Sequence, residues 1–411
     1  MRPRAATAII PALVLSMAFG CGPSGPPREG LRLFAENKLA DALPFFERSA
    51  RQRPRDAETQ AWLAETCRRL GRFAAADSAA RRALAVAPCH AFAHTVLADL
   101  YNPMYSGWES TNADSAWAHV RRAVACDSTD ANVWSSAWVQ AMSRGDRALE
   151  SRALRSMVGT GFLTPALLAH WRWTLASLPR DAVFLCNGDM DTYPSTALQE
   201  TEGVRRDVAV VNLPLLNTTW YRRIVRDRHA LPLPVDDAAL DAMQVIQDEA
   251  GNVVTVDRQI VTDWIARLKE GKFPRPLTLA TTVAHLDFGP GDGEHLVVSG
   301  PFWLCVREPA AARMDTARVR ASLAALDRRA VSGSYLSRDD RSPIRRMGSE
   351  RSHGNIANLA FGYALAQLES GRTGEARAAA AWALEIARET GADSLALRQI
   401  EKLSQEAGKA K

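Results

Sequence analysis

The feature that most constrains this chain is a 34-residue period near its N-terminus. Leu39, Ala42, Phe46, Ser49 and Pro54 recur 34 residues later as Phe73, Ala76, Ala80, Ala83 and Pro88. A fixed period of this length makes each repeat one small unit that cannot bury its apolar face alone, so neighbours must stack. The small residues predict two helices crossing closely, where larger side chains have no room. The recurring proline predicts where the second helix of each pair ends.

Leu63, Ala64 and Gly71 extend the pattern. A third unit begins at Ala91. Leu97, Ala98 and Tyr101 suit its first helix and Ala116, Val120 and Ala123 its second, with "NPMYSGWESTN" adding about six residues between them. Trp134, Trp138 and Gly145 mark a degraded fourth unit, and Tyr363, Ala364, Gly371, Ala376, Ala380 and Ala383 a further one near the C-terminus. These positions resemble the tetratricopeptide repeat. The resemblance implies a superhelix whose first helices line a concave groove, placing Glu65, Arg68, Asp99 and Asn102 as groove contacts for a protein or peptide partner.

Between the repeats the pattern changes. "DAVFLC", "DVAVVNL", "PLTLATTV" and "HLVVSGPFWLCV" are short apolar, β-branched runs bounded by Pro, Gly and Asp, and read as strands. Helical stretches separate them; in "DRQIVTDWIARLKEG", Ile260, Val261, Trp264, Ile265 and Leu268 share one face. The expected fold is therefore α plus α/β: an N-terminal helical-repeat superhelix, a central α/β domain with a partly parallel sheet, and a C-terminal helical repeat. The expected divisions are a leader at 1–20, a linker at 21–29, repeats at 30–162, the α/β domain at 163–310, a helical connection at 311–350 and a last repeat at 351–405.

The N-terminus reads as a targeting segment. "MRPR" is a basic start and "AATAIIPALVLSMAFG" an apolar run too short to span a bilayer comfortably. "AFGC" resembles a bacterial lipobox, which implies lipidation at Cys21, with Gly22 pointing to the periplasmic face of the outer membrane. The membrane contact expected is that anchor alone. The formal charge is +5, yet only six of the 51 basic residues are Lys, and the arginines are scattered beside acidic residues. No block of like charge stands out, so nucleic acid is not an expected partner.

"NGDMDTYP", residues 187–194, follows the first predicted strand, where α/β proteins commonly place ligands. Two readings compete. In the plain one Asn187 and Gly188 turn the chain, Asp189, Asp191 and Thr192 cap backbone N–H groups, and Pro194 with Ser195 opens the next helix. In the other, the carboxylates hold a cation or contact a ligand, joined by Gln199, Glu202 and Arg205 from "QETEGVRRD". His90 and His94, one helical turn apart, lack an evident third ligand. Cys186 and Cys305 lie in predicted strands that can be neighbours in one sheet, where a disulfide and two buried thiols both fit and the thiols are favoured. No nucleophile elbow, phosphate loop or zinc signature occurs, so no catalytic residue, metal or cofactor is expected, and binding is expected over catalysis.

"AVFLCNGDMDTYPSTALQETEGVRRDVAVVNLPLLNTTWY", with "RPLTLATTV" and "EHLVVSGPFWLCVREP" later, resembles the soluble C-terminal part of bacterial membrane proteins related to protein O-mannosyltransferases. Met190 stands where that family has Asn. Glycosyl transfer there belongs to a membrane-embedded part, so the resemblance implies an accessory domain. Two functions follow as expectations: a membrane-anchored periplasmic scaffold using its repeats for protein–protein interaction, or a saccharide-binding accessory factor in envelope glycosylation.

Overall fold

A computed structural model describes residues 25–104, 106–283, 292–332, 343–389 and 394–409; the predicted leader and Cys21 lie outside them. Paired helices come first: α1 (Arg28–Ala35) with α2 (Leu39–Gln52), α3 (Ala57–Arg69) with α4 (Phe73–Val86), α5 (Ala91–Tyr101) with α6 (Ala113–Cys126), and α7 (Val133–Ser143) with α8 (Arg147–Gly159). The sequence period reappears in the starts of α2 and α4, and again in those of α6 and α8. Pro54 and Pro88 fall just after α2 and α4, as a residue without an N–H requires. Ala64, Ala76 and Ala80 are fully buried where these helices cross, packed with Phe46, Leu97 and Leu100.

A disulfide joins Cys89, in the turn before α5, to Cys126 at the end of α6. Sequence reading did not single out this pair. Cys186 and Cys305 keep their thiols, as expected, although not as neighbours in the sheet.

After α9 (Pro165–Ser177) comes the sheet. β1 (Val183–Cys186) leads through α10 (Asp189–Glu202) to β2 (Ala209–Asn212). Then α11 (Thr219–His229), a small hairpin of β3 (Ile246–Gln247) and β4 (Val253–Val254), and α12 (Val256–Lys269) lead to β5 (Leu277–Ala280). The run "HLVVSGPFWLCV" splits into β6 (Leu296–Val298) and β7 (Phe302–Cys305), turning at Gly300 with φ of 128°. The five-stranded order is β2-β1-β5-β7-β6. β1 pairs in parallel with both β2 and β5, while β7 runs antiparallel to β5 and to β6. Every residue of β1, β2 and β5 is buried, which is why those runs lack polar alternation. β5 lies between the strands of Cys186 and Cys305.

One apolar core continues from α5 through α9 to β7. The C-terminal helices α13 (Thr316–Ala325), α14 (Arg328–Ser332), α15 (Pro343–Glu369), α16 (Thr373–Glu389) and α17 (Ser394–Lys409) form a second core that includes Trp173 of α9. The Trp173 indole N–H donates to the Ser322 carbonyl at 2.7 Å, tying α13 to α9. No described helix is long and apolar enough to cross a membrane.

Candidate functional site

The "NGDMDTYP" stretch is the first turn of a helix rather than a loop before one. α10 begins at Asp189, five residues ahead of the proline expected to open it, and Pro194 sits inside. The N-terminus tolerates this because Asp189 and Asp191 put negative charge beside its exposed N–H dipoles. The Asp191 and Thr192 N–H groups donate to the Gly188 carbonyl.

Helical geometry then separates the two aspartates. Residues two apart point about 200° apart around a helix, so they do not share a face. Asp191 turns inward and is buried. It accepts hydrogen bonds from the Asn187 N–H at 3.0 Å and the Thr282 hydroxyl, closing the strand ends of β1 and β5 together. Burial raises its carboxyl above the usual range, and those two bonds partly offset the rise. Asp189 turns outward with Met190 and Tyr193, one turn along the same side. The two carboxylates cannot converge on one cation. Among the described residues no cluster of three or more His, Cys, Asp or Glu side chains is arranged to hold a metal.

The outward face of α10 closes the repeat groove. Asp189, Met190 and Tyr193 line a cavity of about 330 Å³ with Glu65 and Arg68 of α3, Asp99 of α5, and Ser135 and Ser136 of α7. Phe34, Trp62 and Phe92 line it as well. Trp62 meets Phe34 edge-on at 5.2 Å and Phe92 at 4.9 Å between ring centres. Thus three of the four expected groove residues border one cavity with one of the two aspartates. The fourth, Asn102, is buried at the end of α5, where its side-chain oxygen accepts the Met104 N–H.

Charge within the cavity is uneven. Arg68 donates twice to Glu65, at 2.7 and 2.8 Å, and stands 3.9 Å from Asp99. Asp99 accepts the Ser136 hydroxyl at 2.6 Å. Burial raises the Asp99 carboxyl, with the Asp189 charge adding a little. Asp189 is open to the cavity but crowded by protein elsewhere, and that crowding raises its carboxyl too. The cavity therefore combines aromatic rings with the Asp99 and Asp189 carboxylates, two serine hydroxyls and the Arg68–Glu65 pair.

The other candidates serve the scaffold. Thr192 accepts from the Asn212 amide, and Gln199 donates to the Arg205 and Val208 carbonyls at 2.9 and 2.8 Å. Both border a second cavity instead of the groove. Glu202 pairs with Arg172 at 2.6 Å. Arg205, at φ of 44°, donates to the Leu175, Leu178 and Pro179 carbonyls and pairs with Asp207, securing the end of α9. His90 caps α5 and pairs with Glu58, whereas His94 bonds to His119 and to the Pro88 carbonyl, so the two imidazoles diverge. Trp62, Phe92 and Tyr193 were missed as site residues. The 34-residue register carries no signal for them: Trp62 lies in the middle of α3 and Phe92 at the start of α5, and only the packing of those helices brings the rings together.

Residues 171–282 match the family model of TMEM260-associated domain 2, a domain linked to membrane glycosyltransferase-like proteins. The match begins within α9, covers the three parallel strands, and ends at Thr282, the partner of Asp191. No curated protein matches the chain.

Proposed function

We propose that this chain is a binding protein of the cell envelope, tethered by lipid at Cys21 to the periplasmic face of the outer membrane. Its tetratricopeptide-like groove holds a segment of a partner protein. The observation that supports this is the shared cavity of α3, α5, α7 and the first turn of α10. Paired aromatic rings accept an apolar side chain, and Asp99 with Asp189 accepts N–H groups. The α/β domain then acts as the wall that ends the groove. Site-specific photocrosslinking tests this, with the crosslinker at Ser135 in the cavity and at exposed Arg121 outside it. One discrete adduct is expected from Ser135 only, and it should vanish in Phe92→Ala. Identical crosslinking from both positions, or an adduct indifferent to Phe92→Ala, would refute the reading.

A saccharide is the second reading. Aromatic faces beside carboxylates also suit sugar rings and hydroxyls, and the family match supports it. A thermal shift with soluble oligosaccharides that is lost in Asp189→Asn would favour it over the peptide reading.

A further inference from the structure

A second cavity, of about 570 Å³, lies between α8, α10, α11 and the outer edge of β2. It is distinct from the groove, and its chemistry is opposite in sign. Arg147, Arg206, Arg228 and Arg275 reach it from four separate segments. Its acidic neighbours are already engaged. Glu150 is held by both Arg147 and Arg228, at 3.1 and 2.9 Å. Glu200 pairs with Arg155 at 2.6 Å, and Asp207 with Arg205 at 2.8 Å.

Two cations are left over. Arg206 donates through Nε to the Gln199 carbonyl at 3.1 Å, and Arg275 donates to the Asp181, Ala182, Asp207 and His229 carbonyls. Neither forms an ion pair among the described residues. The imbalance has a local symptom: burial and the charges of Arg275, Arg228 and Arg147 push His229, on the same wall, down to about 4. The edge of β2 adds a backbone donor. Ala209 N–H points to β1, and the Asn212 N–H points outward to the Tyr221 hydroxyl at 2.9 Å. The alternation of a parallel ladder turns Val210 N–H to the same open side.

We propose that this cavity is a binding site for a phosphate ester. Guanidinium groups approaching from different elements suit a tetrahedral dianion with several acceptor oxygens, where each charge-assisted bond is stronger than a neutral one. The apolar side chains of Trp138, Leu154 and Ile224 on the same walls give the esterified group a place to lie.

Titration calorimetry at low ionic strength tests the site with the intact chain. The probes are inorganic phosphate, glucose 1-phosphate, dihexanoyl phosphatidic acid, glucuronate and glucose. One saturable site for the phosphate-bearing probes is expected, with glucose silent. Arg206→Gln should weaken binding about tenfold, the worth of one charge-assisted bond. Arg147→Gln should weaken it similarly, because Arg228 still holds Glu150. Arg51→Gln, on the far exposed face of α2, should change nothing. Tighter binding of either ester than of inorganic phosphate supports the site and tells a soluble sugar phosphate from a lipid headgroup. Absence of saturable binding by every phosphate probe overturns the proposal. So does glucuronate binding in place of phosphate, or an Arg51→Gln loss equal to that of Arg206→Gln.

Discussion

The Cys89–Cys126 disulfide gives the sharpest test of how the third repeat is held. The two Cα atoms are 5.1 Å apart and the cysteines are 37 residues apart in sequence. The bond spans α5, the long insertion and α6, which is the repeat whose inter-helix turn departs most from the period. Cross-linking a loop of this size removes chain entropy from the unfolded state worth about 4 kcal/mol at 25 °C. Cys89 is exposed and Cys126 partly so, so replacing both with serine leaves no large cavity to confuse the result. The double variant should therefore lose about 4 kcal/mol. For a guanidinium slope of about 4 kcal/mol/M, that lowers the midpoint by about 1 M. Helical ellipticity during guanidinium unfolding reads this directly. Wild type treated with a reductant should fall to the midpoint of the variant, since only the cross-link distinguishes them. A midpoint shift below about 0.2 M would refute the entropic argument. A difference that survives reduction of the wild type would show that the serines, not the lost cross-link, cause the change.

The two aspartates of "NGDMDTYP" should behave differently. Asp191→Ala strands the Asn187 N–H and the Thr282 hydroxyl and should cost about 2 kcal/mol or more in urea unfolding, whereas Asp189→Asn should stay within about 0.5 kcal/mol. Equal losses would contradict the inward and outward assignment. The His94–His119 pair should make stability depend on acid. The Pro88 carbonyl can only accept, so His94 Nε2 carries the hydrogen and His119 Nδ1–H donates to His94 Nδ1 at 2.9 Å. Burial, His94 and nearby arginines push His119 from 6.5 down to about 4. A histidine depressed in the fold contributes stability that is full above about pH 6.5 and lost as the pH falls toward about 4. His119→Gln keeps a donor without that titration, so its melting temperature should fall less between pH 6.5 and 4.5; an unchanged slope would rule the pair out.

The repeat was legible because its signal is local and redundant. Ala76, Ala80 and Ala83 are small for the same reason each time, and the buried crossings follow from that. The strands were legible for a similar reason: burial on both faces forces runs such as "AVFLC" to be uniformly apolar. Helix starts were less secure. Pro194 looked like an opening residue, but charge at the α10 N-terminus moved the start back to Asp189, a choice that propensity alone does not fix. The cysteine pairing was hidden because Cys89 and Cys126 are 37 residues apart across an irregular insertion.

The sequence by itself determined the period, the sheet-forming segments and the order α-repeat, α/β, α-repeat, since each rests on spacings read along one segment. Only the tertiary structure decided what "NGDMDTYP" faces. Its helical conformation points Asp191 into the sheet and Asp189 into a groove built by α3, α5 and α7, which begin 132, 98 and 56 residues earlier. It also decided that arginines from four distant segments meet beside β2 with more positive charge than their neighbours neutralise. Distance in space between residues far apart in sequence has no local signature, which is why both cavities emerged only once the repeats were packed against the sheet.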